Sequence, residues 1–200
     1  SMTLDGRAII TWSDYKRNEG DTTFGLLSQV SPNGRFVVST VKDESVFVAR
    51  PNLDFSQLFF PVKGILCVYD RQTGVFQSLP GADDPDYVHC DAVWTPDGQN
   101  LVFARAAAKD AYPADGRLAR QANDAAETQI QYDLYRMPFD DGHGGKPEPI
   151  RGASQNGMSN SFPKVSPDGR WIVFVQCRNG QLLRPDSQLW IVPAAGGEAR

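Results

Sequence analysis

Val165-Ser166-Pro167-Asp168-Gly169-Arg170-Trp171-Ile172-Val173-Phe174 reads as a tight turn feeding a buried strand. Proline presets φ for the second position of a type I turn, and Asp suits the next. Glycine then accepts the left-handed conformation that closes a bulged hairpin. The run from Trp171 to Phe174 is apolar at consecutive positions, as in a strand covered on both faces. The same reading recurs at Val30-Ser31-Pro32-Asn33-Gly34-Arg35-Phe36-Val37-Val38 and at Trp94-Thr95-Pro96-Asp97-Gly98-Gln99-Asn100-Leu101-Val102-Phe103. A fainter copy sits at Asp5-Gly6-Arg7-Ala8-Ile9-Ile10. Gly98 and Gly169 are expected to have positive φ.

A third strand is predicted in each unit, at Ile65 to Asp70, Asp133 to Pro138 and Gln188 to Val192. Each ends in a turn rich in Asp or Gly: Arg71 to Gly74, Asp140 to Gly142, and Ala194 to Gly197. A short fourth strand follows, as at Val75 to Leu79. Four antiparallel strands per repeat make the blade of a β-propeller. The fold class is therefore all-β, a propeller segment of about three four-stranded blades with insertions.

The motif S-P-D-G-[RK] with an apolar strand, then L-[WY]-x-[VM] and a G-G turn, resembles the TolB-like propeller repeat, the WD40-like PD40 repeat. The same repeat occurs in the non-catalytic propellers of tricorn and prolyl-oligopeptidase-like proteases. The resemblance covers about residues 28 to 200. It implies a fold and says little about function.

The turn glycines Gly34, Gly98 and Gly169 are 64 and 71 residues apart, whereas propeller blades run about 40–45 residues. The excess predicts an insertion between the second and third strands of each of the first two blades. One is Lys42 to Lys63, with Phe55, Leu58, Phe59 and Phe60; the other is Ala106 to Gln131, where Arg117-Leu118-Ala119-Arg120-Gln121-Ala122 predicts a short helix. The expected organisation is a lead-in or partial blade over 1–27, then blades over 28–82, 87–153 and 159–200, the last incomplete. Closed rings have about 4–8 blades, so a part of a larger ring is expected. An open arc is expected to self-associate through its uncovered faces.

Composition narrows the function classes. The chain has 200 residues, 40% hydrophobic and 22% charged, with a formal net charge of -4 and a pI near 5.1. No Lys/Arg cluster suits a phosphate backbone, so nucleic acid is not an expected partner. No apolar run approaches the roughly 20 residues that span a membrane, and Ser1 and Met2 read as a cut point. Cys67, Cys90 and Cys177 form no C-x-x-C pair and read as small buried hydrophobes.

No nucleophile elbow, Walker loop, H-E-x-x-H or G-x-G-x-x-G occurs, so no catalytic, cofactor or metal residue is assigned. Gly142-His143-Gly144-Gly145 falls where a blade turn is expected. Asp83-Asp84-Pro85-Asp86 lacks the spacing of a calcium loop and reads as a solvated turn. His89 and Asp91 flank Cys90 on a first strand, where strict alternation would place both on one face; one His and one Asp make an incomplete metal site. Tyr87, His89, Asp91, Ser159, Asn160 and Ser161 are the candidate ligand contacts, because first strands line a propeller channel. The insertions are expected to make assembly contacts, with the phenylalanines covered by another blade of the same protein.

The expected role is a non-catalytic platform that binds a protein or peptide. TolB resemblance implies a periplasmic or otherwise extracytoplasmic complex. The rival role is the propeller of a larger enzyme, either a prolyl-oligopeptidase-like gate or a metal-dependent lyase.

Overall fold

The computed structural model describes residues 26–49, 57–112, 114–117, 119, 121–181 and 184–200, with backbone only for 47–49 and 57–58. The faint repeat at 5–10, nearly all of the expected lead-in, and Phe55 lie outside these residues. So do Leu118 and Arg120, and the Leu58 side chain.

Among the described residues eleven strands form three blades. The first holds β1 (Leu26–Val30), β2 (Phe36–Ala49), β3 (Gln57–Asp70) and β4 (Phe76–Ser78). The second holds β5 (Tyr87–Trp94), β6 (Asn100–Ala107), β7 (Asp133–Pro138) and β8 (Glu148–Pro149). The third holds β9 (Ser159–Val165), β10 (Trp171–Cys177) and β11 (Gln188–Pro193), with Arg200 bonded to Ile191 in both directions at 2.9 and 3.0 Å beside β11. Pairing within each blade is antiparallel and sequential. The first two blades meet edge to edge at a single parallel bridge, Gly64 to Val88.

The predicted turn is built three times in the same way. Gly34, Gly98 and Gly169 each donate N–H to the Ser or Thr carbonyl three residues back at 2.8 Å, with φ of 73°, 71° and 71°. The side chain at the third turn position then accepts two bonds, from the Ser or Thr hydroxyl and from the residue after the glycine. Glycine is required because a left-handed φ costs an L-residue its Cβ clearance. The Pro32 ring lies 3.5 Å from where a Cβ on Gly98 would stand, and the Pro96 ring 3.9 Å from that on Gly169. The turns thus stack blade on blade.

A second repeated device sits at the same end of each blade as its turn, since Asn100 pairs with Pro138 and Trp171 with Pro193. The glycines after β7 and β11 press backbone to backbone on the exit of the preceding blade. Gly145 N–H donates to Pro80 O at 3.2 Å, and Gly197 N–H to Arg151 O at 2.9 Å. Both glycine-rich stretches that the sequence marks as blade turns are therefore also clasps between blades.

Apolar strand faces fill the spaces between blades. Phe36, Val38, Leu66, Val68, Leu101, Phe103, Met137 and Phe139 form the core between the first and second. Val88, Cys90, Val93, Val102, Ala104, Leu134, Ile172 and Phe174 form that between the second and third.

The insertions are where structure departs from sequence reading. The first is an extension of the β2–β3 hairpin, paired as far as Ala49 and Gln57. Among its described residues the second has no helix: Arg117, Ala119, Gln121 and Ala122 lie in turns and irregular backbone. A stretch this short, with only Leu118 and Ala122 apolar at i to i+4, does not hold a helix by itself, since isolated short helices are unstable in water. Both insertions bend over the third blade and share its core. Phe60 is buried with Val46, Val62, Ala111, Ile130 and Tyr132, worth roughly 1.5–3 kcal/mol for one such side chain. The Tyr132 hydroxyl donates to the Pro61 carbonyl. Phe59 remains 38% exposed.

Among the described residues one ion pair joins the pooled insertions to the third blade. Arg184 Nη1 meets Glu127 Oε2 at 2.7 Å, with both side chains 1% exposed or less. Asn179 Nδ2 and the Asn123 N–H also donate to Glu127 Oε2, at 3.1 and 3.0 Å. The Arg184 guanidinium lies 5.0 Å from the Phe60 ring centroid.

Candidate functional site

The six candidate contacts lie on the first strands β5 and β9, yet only Tyr87 reaches solvent substantially. His89, Ser159, Asn160 and Ser161 are fully buried and Asp91 is 5% exposed. The structure divides them into two groups, and the divider is a bulge.

Each first strand carries one non-glycine residue in the left-handed region: Leu27 at φ 54°, Asp91 at 58° and Phe162 at 52°. Each stands seven positions before its turn glycine. At all three points the pairing with the second strand slips. The extra residue breaks alternation, so His89 and Asp91 do not share a face as strict alternation predicts. The His89 ring packs toward the first blade, 5.8 Å from Phe103 and 6.2 Å from Tyr87, and its carbonyl accepts from Thr40 Oγ1 at 3.1 Å. Asp91 turns to the third blade, where Oδ2 accepts from Gln181 Nε2 at 2.7 Å and from the Phe162 N–H at 3.3 Å.

Around Asp91 lies a buried polar seam. Gln181 Nε2 also reaches Cys90 Sγ at 3.2 Å. Asn160 donates to Tyr132 O, Met158 O and Asn156 Oδ1 and accepts from Gln176 Nε2. Ser159 receives the Tyr132 N–H and donates to Gly180 O. These bonds make Ser159 and Asn160 struts between β7, β9 and the loop after β10. Asp91 Oδ1, Ser161 Oγ, Gln181 Oε1 and both His89 ring nitrogens have no hydrogen-bond partner.

Burial dominates the electrostatics. It raises the Asp91 carboxyl to about 7, against smaller lowering by the Phe162 N–H and Lys164. It lowers His89 to about 4, reinforced by the nearby Arg105 charge. The buried Cys67 thiol is pushed up to about 12 and Cys177 to about 11, and Cys90 well above its ordinary range. All three cysteines are free, buried and held as thiols.

The pH dependence follows with a definite sign. Between about pH 4 and 7 the folded chain holds a proton on Asp91 that the unfolded chain lacks, so Asp91 favours folding as pH falls through 7. His89 acts oppositely: below about 6.5 only the unfolded chain gains its proton, and stability is lost. From pH 8 to 6.5 the Asp91 effect of this pair outweighs that of His89, whose unfolded-state protonation is only half complete at the end of the interval. The melting temperature is expected to rise over that interval, and Asp91→Asn is expected to abolish the rise and melt higher at pH 8. Thermal scans of both proteins check this; a variant that tracks the parent would refute the assignment.

A feature that sequence reading missed stands at the exposed end of the same blade. The Arg105 guanidinium is 3.7 Å from the Tyr87 ring centroid and 5.3 Å from that of Tyr135. Arg105 makes no hydrogen bond or ion pair among the described residues, and its Nε is buried without a partner. The row His89–Arg105–Asp133 is set by β5, β6 and β7 register, while Asp133 is engaged by the Gln155 N–H at 2.7 Å. Arginine alternating with aromatics across neighbouring strands was the available signal. It was obscured because Arg105 lies at the edge of the expected insertion.

The acidic turn is internally tied. Asp83 accepts from Ser78 Oγ and the Gly81 N–H, and Asp84 from the Asp86 N–H. Among the described residues no cluster of three His, Cys, Asp or Glu could hold a metal ion, and no helix is long and apolar enough to cross a membrane.

No protein-family model matches the sequence, and no curated protein matches it. Solved structures are similar in shape. TolB from Acinetobacter baumannii is 16% identical with a TM-score of 0.47, over 90% of this chain and 33% of that one. Putative TolB from Agrobacterium tumefaciens is 14% identical with a TM-score of 0.45, over 88% and 65%. Kuenenia stuttgartiensis hydrazine synthase is 14% identical with a TM-score of 0.41, over 74% and 35%. The chain thus spans from a third to just under two thirds of these structures. On its own three blades, each repeating one turn, one left-handed bulge and one strand order, the chain is a β-propeller segment.

Proposed function

We propose that this chain is a non-catalytic propeller platform that binds a protein or peptide in an extracytoplasmic complex. The supporting observation is the Tyr87–Arg105–Tyr135 stack. Tyrosine and arginine are the residues that dominate binding energy at protein interfaces. Here the guanidinium packs over the Tyr87 ring and lies 5.3 Å from the Tyr135 centroid, and it makes no ion pair among the described residues. Little side-chain entropy remains to be lost when a partner carboxylate meets it. The extracytoplasmic setting is supported by TolB resemblance.

The enzymatic reading has one observation in its favour, the raised carboxyl of Asp91, since perturbed groups gather at catalytic sites. Asp91 is enclosed, however, and its oxygen bonds a structural amide and Gln181. Its neighbour Cys90 is held as a thiol. Structural burial accounts for both.

The test is a comparison of partner capture from a periplasmic extract by the parent protein and by Arg105→Ala with Tyr87→Ala. A loss of affinity of about 30-fold, near 2 kcal/mol, with the fold intact is expected. Undiminished capture by the folded variant would overturn the reading.

A further inference from the structure

Equivalent slots recur between blades, and one is filled where the next is open. Between the first and second blades the slot beside the hairpin turn is packed with rings. Trp94 and Phe139 have centroids 4.5 Å apart, and Phe139 and Phe36 4.8 Å. Val68 forms part of the same core.

Strand register identifies the equivalents one interface on. Trp94 pairs with Leu101 as Val165 pairs with Ile172. Phe36 pairs with Asp70 as Asn100 pairs with Pro138, and Val68 with Val38 as Arg136 with Val102. Phe139 and Ala194 each donate N–H to the residue after their turn glycine, Gln99 and Arg170. Between the second and third blades, then, Val165 replaces Trp94, Ala194 replaces Phe139, Asn100 replaces Phe36 and Arg136 replaces Val68. What remains is a groove of about 270 Å³ with Val102, Val165 and Ile172 among its walls and Asn100 and Arg136 within it.

The groove has one unmatched charge. Arg136 Nη1 donates to Ala194 O at 3.2 Å, and Arg136 has no ion pair among the described residues. The rim carboxylates Asp97 and Asp168 are occupied by their own turns, and Asp168 also by Arg170. Glu148, the register partner of Arg136 on β8, is exposed and forms no ion pair with it. A vacancy where the preceding interface holds rings, beside a guanidinium without an ion pair, calls for an aromatic group bearing a carboxylate.

We propose that this groove binds the C-terminal aromatic residue of a peptide. The ring takes the space that Trp94 and Phe139 fill in the preceding interface, and the carboxylate pairs with Arg136 through charge-assisted hydrogen bonds. The Asn100 amide stands beside it. The proposal rests on the platform reading for its peptide source. Its site is nonetheless separate from the tyrosine stack, because Asn100 and Arg105 lie near opposite ends of β6, about 16 Å apart at 3.3 Å per residue.

Calorimetric titration with N-acetyltryptophan, N-acetyltryptophan amide and a short peptide ending in tryptophan tests it. The acid is expected to bind at least 10-fold tighter than the amide, and the peptide tighter than the acid. Arg136→Gln is expected to lose at least 10-fold. Val165→Trp, which refills the slot, is expected to abolish binding; if that variant does not fold, Arg136→Gln decides. Equal binding of acid and amide, unchanged binding by Arg136→Gln, or no binding of any probe at 10 mM overturns the groove. Free tryptophan binding as tightly as the peptide overturns the peptide source. Arg105→Ala is expected to leave probe binding intact, so failure of the platform reading appears with Arg105 and failure of the groove with Arg136.

Discussion

Glu127→Leu is expected to destabilise the chain by about 3–5 kcal/mol, the cost of leaving one partner of a buried pair uncompensated. At roughly 2–4 °C per kcal/mol for a chain of this size, the melting temperature should fall by on the order of 10 °C. The lost group does more than neutralise Arg184. Its Oε2 also accepts from Asn123 and Asn179, and Asn179 Oδ1 in turn accepts the Ile130 N–H at 2.7 Å. Removing the carboxylate therefore strands a guanidinium and loosens the segment that covers Phe60. The double variant Glu127→Leu with Arg184→Met is expected to regain most of the loss, because a well-packed apolar pair of similar volume often matches a buried ion pair. Thermal unfolding of the two variants decides. A single variant within about 3 °C of the parent would mean that water reaches Arg184 and the pair is not a tie.

That pair also marks the limit of what the sequence discloses. The three Ser/Thr-Pro-Asp/Asn-Gly turns could be read because their chemistry is local: proline, a carboxylate or amide, and glycine act within a few residues. Strand order followed, since short connections leave little choice of neighbour. The joint core of the insertions had no such signal. Glu127 and Arg184 are 57 positions apart, and Tyr132 and Pro61 are 71, so nothing in either segment names its partner. The bulges at Leu27, Asp91 and Phe162 were hidden for another reason. Leucine and phenylalanine seldom adopt left-handed φ, so residue type argues against what the register imposes. At the candidate contacts the sequence misjudged exposure: a run of polar residues on β9 reads as a loop surface, and only the folded chain shows Ser159 and Asn160 as buried struts. The vacant slot beside Arg136 was legible in principle, since Trp94 and Val165 stand at one repeat position, but its meaning needed the neighbouring blade.

The glycines between blades supply the last prediction. Gly144→Ala is expected to cost about 3 kcal/mol or more, against about 1 kcal/mol for Gly157→Ala, where only the backbone term applies. Both residues have positive φ, 68° and 73°, so conformational strain is shared and cancels in the comparison. Their surroundings differ. A Cβ on Gly144 would stand 2.0 Å from the Pro80 carbonyl oxygen, whereas one on Gly157 would meet nothing within 4 Å. The oxygen cannot withdraw alone, because it accepts the Gly145 N–H, and Pro80 follows Leu79, which is fully buried. Relief requires the two blades to part along their contact, which exposes the Phe36–Phe139–Trp94 rings that fill it. Gly152→Ala should behave like Gly144→Ala at the next interface, where the Gly197 carbonyl oxygen stands 2.1 Å from the added carbon. Denaturant unfolding of the three variants measures the difference. If Gly144→Ala and Gly157→Ala lose the same amount, the glycines serve their own turns alone, and the blades are held together by side-chain packing without a backbone clasp.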